Sequence, residues 1–324
     1  MREGFFSALV TVVAVVLLLP AAAASQTPTD SGAPPRTAWG DPDLNGTWSY
    51  ASLTPLQRPT SMADKEFFTP EEAAERNYAV TLDQPPRTGD VGSYNALWFD
   101  RGEVSSDRRT SLIVDPPNGR IPALTPEAAQ RAEARRAYRR EHPADSWEDR
   151  HIWERCVTRG GMPNAMFPRS YNNNMQVFQT PDHVVMLIEQ VHEVRVVPLD
   201  GRDHPSDEIG QWNGISTGHF EGDTLVVETS NFHPDQSFRA ALKHVVMSTP
   251  DLVVTERFTR ISADEILYDF TMDDPAVYAK SWRGEIPLRA TEGPIYEYAC
   301  HEGNYALPGI LAGARAEEKA GKEP

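Results

Sequence analysis

From residue 171 to residue 305, short runs of alternating apolar and polar positions are separated by turn residues. A period of two is the signature of half-buried strands. The pattern predicts strands over 175–179, 183–189, 193–198, 215–220, 224–231, 252–261, 265–272, 282–288 and 296–300. Turn signals such as Thr180-Pro181-Asp182, Asp200-Gly201 and Glu221-Gly222-Asp223 fall between them. The 183–189 run is apolar on both faces and should be central. Sequential strands joined by short turns predict a mainly β fold, an antiparallel meander with a barrel-like core, closed or nearly so. Neither a βαβ alternation nor a glycine-rich phosphate loop interrupts it.

The preceding 43–170 is mixed and reads as an arm packed on that core. A first strand is predicted over 43–50 and a hairpin over 110–122. Thr69-Pro70-Glu71-Glu72 and Thr125-Pro126-Glu127 are helix starts, with a capping hydroxyl, Pro in the first turn and acids against the dipole. They predict helices over 70–80 and 126–141, with a shorter one over 146–155. The second helix carries Arg131, Arg135, Arg136, Arg139 and Arg140, expected as a solvated face paired with Glu127, Glu133 and Glu141. Residues 306–324 read as a frayed charged tail. The Gly46-x-Trp48 of the first strand is similar to the opening strand of calycin and lipocalin-type barrels.

The N-terminus is a different kind of segment. Arg2, the apolar run 5–20 and the small residues 21–25 form an export-signal pattern, with cleavage expected after Ala24 or Ser25. The polar, Pro-rich residues 26–42 are expected to be a disordered leader. No later stretch is apolar enough to span a bilayer, so the mature chain should be periplasmic or secreted. The net charge of −16 opposes binding to nucleic acid or anionic membranes. Two cysteines outside the cytoplasm favour a Cys156–Cys300 disulfide, adding roughly 4–5 kcal/mol in the chain-entropy model. Cys300 and His301 are adjacent on a predicted strand, point to opposite faces and make a poor chelating pair.

Three motifs carry a resemblance. Tyr171-Asn172-Asn173-Asn174 with Gln179-Thr180-Pro181-Asp182, then 221–229 (EGDTLVVET), then 292–305 (EGPIYEYACHEGNY) resemble the pattern of a large group of exported bacterial proteins. The resemblance covers most of the mature chain. It implies export and a shared fold, and brings no activity with it.

Candidate chemistry lies in the β region. Gly214-Ile215-Ser216-Thr217-Gly218 matches a hydrolase elbow, but a strand follows the Ser where the elbow needs a helix. Seven of the nine histidines follow Tyr171 without a chelating repeat, and neither metal nor cofactor is expected. Polar residues at apolar parity are more informative. Glu256 shares a face with Val254 and Phe258 and should point into the core, where a carboxylate needs a partner. Glu189, His192 and Arg195 lie at the end of the most apolar strand, and Glu297 and His301 share a parity. These six are the candidate acid–base groups, each with a buried salt bridge or backbone partner as its structural alternative. Tyr171, Asn172, Asn173, Asn174, His219, Tyr268, Tyr296 and Tyr298 are the candidate lining of a ligand mouth. For the three asparagines, turn chemistry is the plainer explanation. Trp98, Trp153, Trp212, Trp282 and Phe270 add to the aromatic supply.

The expected function is binding of a small, partly apolar molecule within the barrel. The alternatives are a cofactor-independent lyase, isomerase or hydrolase using Glu/His/Arg acid–base chemistry, and a structural protein with a filled core. Oligomeric state is not legible. N-terminal sequencing of the secreted or periplasmic protein should begin near Ser25 or Gln26; a membrane-bound product beginning at Met1 would refute the export signal.

Overall fold

The computed structural model describes residues 34–82, 99–160, 162–206, 208–235, 238–241 and 244–321. The expected export signal, the expected leader up to residue 33, and Trp98 lie outside them. The helix starts form as their residues dictate. Thr69 caps α1 (Pro70–Ala79) in a reciprocal box with Glu72, and Thr125 caps α2 (Pro126–Glu141) through the Ala128 N–H. Ala128 is the buried residue of α2. Glu133 pairs with Arg136 and Arg140 on its outer face.

The strands are β1 (Gly46–Ser49), β2 (Ile113–Asp115), β3 (Asn174–Gln179), β4 (His183–Ile188), β5 (Glu193–Pro198), β6 (Ile215–Glu221) and β7 (Thr224–Ser230). A short pair, β8 (Phe238–Ala241) and β9 (His244–Val246), stands apart, and β10 (Val253–Arg260), β11 (Glu265–Asp273) and β12 (Trp282–Ala290) complete the set. Nine strands form a nearly closed antiparallel barrel in the order β5-β4-β3-β1-β12-β11-β10-β7-β6, with β2 also pairing with β12. Two meanders are therefore stitched together by β1, between β3 and β12. The fold is mainly β, as the alternation predicts.

Inward parity is strict. Val184, Met186 and Ile188 of β4, Val254, Glu256 and Phe258 of β10, and Ile266, Tyr268, Phe270 and Met272 of β11 are all buried. Phe258 stacks on Tyr268 at 4.8 Å, Tyr268 meets Phe270 in a tilted contact at 5.7 Å, and Trp282 meets Phe270 edge-on at 5.7 Å. Gly284 makes room for this stack: a β-carbon there would lie 2.4 Å from the Phe270 ring. The 156–170 segment crosses one end as a plug. Its Met162, Ala165, Met166 and Phe167 join the barrel core, with Phe167 5.3 Å from Phe270. Side chains thus fill the interior, in the manner of small barrels.

Four expectations need correction. Residues 296–300 are not a strand, although they alternate. β12, the strand that precedes it in the chain, is already flanked by β1 and β11, so the meander cannot continue into this segment. In the expected 110–122 hairpin, β2 pairs with β12 and not with residues 120–121. Residues 146–155 form one 3-10 turn, Trp147–Asp149, followed by turns. The tail is helix α3 (Ala306–Lys319). Its residues are good helix formers, and its Arg315 donates to the Asp145 and Ala144 carbonyls. The Cys156–Cys300 disulfide is present, with α-carbons 5.7 Å apart and a sequence separation of 144. It ties the plug to the segment leading into α3.

No backbone ladder joins the edges β5 and β6 among the described residues; side chains close the seam. Val197 of β5 lies so near β6 that a β-carbon on Gly218 would sit 2.7 Å from it. Arg195 reaches inward from β5. It donates from Nε to Ser216 Oγ of β6 at 2.9 Å and from Nη2 to Thr229 Oγ1 of β7 at 2.6 Å. It also grips both carboxylate oxygens of Glu256 on β10, with Nη1 3.0 Å from Oε1. The Tyr268 hydroxyl donates to Glu256 Oε1 at 2.8 Å, and burial beside that carboxylate pushes the Tyr268 phenol well above its ordinary pKa. Removing one partner of a buried pair strands the other. Glu256→Gln should lower the unfolding free energy by about 3–5 kcal/mol in urea denaturation. Arg195→Met/Glu256→Leu should cost less than either single change. Equal stability of Glu256→Gln and wild type would show that the pair does not hold the seam.

Candidate functional site

The candidate residues separate into three places. Arg195, Glu256 and Tyr268 form the buried seam cluster just described. Ser216 is part of it, as an acceptor for Arg195 and not as a nucleophile. The second place is the plugged end of the barrel. There Asn174 Nδ2 donates to Glu189 Oε2 at 2.7 Å. Asn173 is fully buried; its Oδ1 accepts from the Arg169 N–H at 2.7 Å and its Nδ2 donates to the Arg169 carbonyl at 3.0 Å. Asn172 has φ +55°, a conformation Asn tolerates, and its carbonyl accepts from the Tyr50 hydroxyl at 3.2 Å. Tyr171 is 41% exposed. The three asparagines therefore carry the turn that seats the plug. The third place is the outer surface. His192 is exposed, and His219 is exposed beside Glu221 at 3.2 Å. Glu297, His301 and Tyr296 lie exposed on the 291–305 segment, with Tyr298 half-buried there. The six acid–base candidates do not converge. Parity placed Glu297 and His301 in a barrel mouth only on the premise of a strand that does not form.

The plugged end contains a carboxylate that the motif reading missed. Glu193, the first residue of β5, is 6% exposed. Its Oε1 accepts from the Thr158 hydroxyl and from the Arg159 N–H, each at 2.6 Å. Thr158 Oγ1 also lies 2.8 Å from the Asn213 side-chain oxygen position, linking the plug to the approach to β6. Glu193 Oε2 and both side-chain polar atoms of Gln190 are buried without a hydrogen-bond partner among the described residues. Val191 and His192, between them, adopt φ +60° and +57°. For a β-branched residue such as Val191 this is a strained conformation. Burial raises the Glu193 pKa; the Thr158 and Arg159 hydrogen bonds and the charges of Arg169 and Arg159 offset this only in part. The available signal was parity: Glu193 shares the inward face with Arg195 and Val197.

An open cleft lies at the seam. A cleft of about 940 Å³ runs between β5 and the chain leading into β6. Its walls include Val194, Val196 and Ile209, which are 58%, 53% and 52% exposed. Trp212 stacks on His233 at 4.1 Å along the same cleft. Arg195 and Ser216 reach its floor. These apolar groups arise because β5 alternates two kinds of inward residue with an outer face that is itself apolar. That pattern was present in Glu193-Val194-Arg195-Val196-Val197, but an outer apolar face reads as a central strand until the sheet order is known.

Among the described residues no helix is long and apolar enough to cross a membrane. No protein-family model matches the chain, and no curated protein sequence matches it.

The raised Glu193 pKa gives a signed pH dependence. An ordinary unfolded Glu titrates near about 4.3. Because the folded form holds its proton to higher pH, this group's stabilising effect is complete below the unfolded value and is lost as pH rises through the folded one. Glu193→Gln should therefore flatten the fall in stability above about pH 4, measured as urea midpoints across pH. An identical pH profile in variant and wild type would mean that Glu193 titrates normally.

Proposed function

We propose that this is an exported protein that binds a small, partly apolar molecule in the seam cleft. The observation that supports this most directly is an open cleft of about 940 Å³ with three exposed aliphatic side chains on its walls. Ligand sites are concave and mostly apolar, with a few convergent polar groups; here Arg202, Gln211 and Asn213 stand beside Val194, Val196 and Trp212. Apolar residues exposed together, rather than singly, mark interaction sites. With side chains filling the interior, this reading puts the ligand at the seam and not inside the barrel. Export is supported by the N-terminal pattern, and the disulfide is in keeping with it.

Binding is a better account than acid–base catalysis because the Glu, His and Arg candidates are dispersed. Glu256 and Arg195 are engaged with each other, Glu189 with Asn174, and His192, Glu297 and His301 face outward. The neutral fluorophore N-phenyl-1-naphthylamine should bind saturably with one site per chain. Val196→Glu puts a charge on an exposed position of the wall and should weaken that binding about tenfold, since an unpaired charge opposes apolar contact. Unsaturable binding, or binding indifferent to Val196→Glu, would refute the cleft as the site.

A further inference from the structure

A second, smaller cleft of about 490 Å³ adjoins the first. Arg135 and Arg139 of α2 line one side of it, and Trp147, Arg150, His151 and Arg155 the other. Glu148 and Asp235 are its carboxylates, so four guanidinium groups face two acids. Arg150 is engaged by Glu154 at 3.0 Å and by the Pro143 carbonyl at 2.8 Å. The Arg155 guanidinium carbon sits 4.3 Å from the Trp147 ring centroid, a cation–π contact that leaves N–H groups for another partner. Among the described residues no carboxylate comes within ion-pair distance of Arg135 or Arg155. On a chain of net charge −16, Arg135 and Arg155, both lining this cleft, form a local exception to the prevailing field.

Trp212 lines both clefts. The apolar seam cleft and the arginine cleft meet at this residue. We propose that the arginine cleft is an anion subsite of the seam cleft, and that the ligand is an apolar molecule ending in an oxyanion, a carboxylate in its simplest form. The apolar body lies against Val194, Val196 and Trp212. The head group accepts hydrogen bonds from Arg135 and Arg155, whose planar forks suit a carboxylate. This inference rests on the binding function proposed above and adds the charge of the ligand.

The test compares octanoate with 1-octanol, which share a chain length and differ in charge, by titration calorimetry on the mature protein. Octanoate should bind more tightly, and its affinity alone should fall with added salt. Arg135→Gln/Arg155→Gln should weaken octanoate about tenfold, the scale of one charge-assisted hydrogen bond, and leave 1-octanol unchanged. Arg136→Gln, on the outer face of α2, should alter neither, and Arg135→Lys/Arg155→Lys should restore most of the octanoate affinity. Octanoate binding that survives Arg135→Gln/Arg155→Gln, with 1-octanol still bound, overturns the anion subsite and leaves the apolar cleft standing. Failure of both probes to bind wild type overturns the cleft itself.

Discussion

The grip of Arg195 on Glu256 is the interaction on which the barrel depends. A sheet of nine strands that does not complete its hydrogen-bonded circle leaves two edges with unpaired backbone groups, an invitation to pair with another chain. Here the edges β5 and β6 face each other, and a single guanidinium spans them to reach β6, β7 and β10. Five donors and a fixed plane let one side chain serve three strands. Ser216, Thr229 and Tyr268 satisfy what the ion pair leaves over, which is the condition under which buried charge is tolerated. Elsewhere the seam is apolar contact, and the absence of a side chain at Gly218 lets Val197 close it.

A seam closed by side chains has an outside that a ladder would not have. Among the described residues Val194 and Val196 on the outer face of β5 stand exposed beside the chain that approaches β6. The cleft is thus a consequence of how the barrel closes. The plug belongs to the same logic. It fills the end of the barrel with Phe167 and its neighbours, brings Thr158 and the Arg159 N–H to Glu193, and is fastened by the disulfide to the segment before α3. Filling the interior and opening the seam are complementary: the first removes the internal cavity that larger barrels use, and the second supplies an external one.

Glu193, Gln190 and the left-handed Val191 are the costs of joining plug to barrel. Local backbone rules and complete polar satisfaction both fail there, and such failures concentrate where a structure does something other than maximise its stability. The segment sits at the start of β5, directly before the residues that line the seam.

Period-two alternation by itself determined the mainly β class, nearly every core strand and the inward face of Glu256, because a one-residue shift would have turned each apolar set to solvent. The capping residues Thr69 and Thr125 determined where two helices begin, and an even cysteine count behind an export-signal pattern pointed to the disulfide. Only the tertiary structure decided which cation meets Glu256, since parity selects a face and says nothing about a partner 61 residues away. It also decided that residues 296–300, which alternate like a strand, stay outside the sheet: β12 had both neighbours already. The clefts were least legible of all. Val194, Val196 and Trp212 meet at the gap between two strand edges that no ladder joins among the described residues, and Arg135 and Arg155 meet beside Trp212 from α2 and the turns before the plug; neither grouping is a property of any one segment.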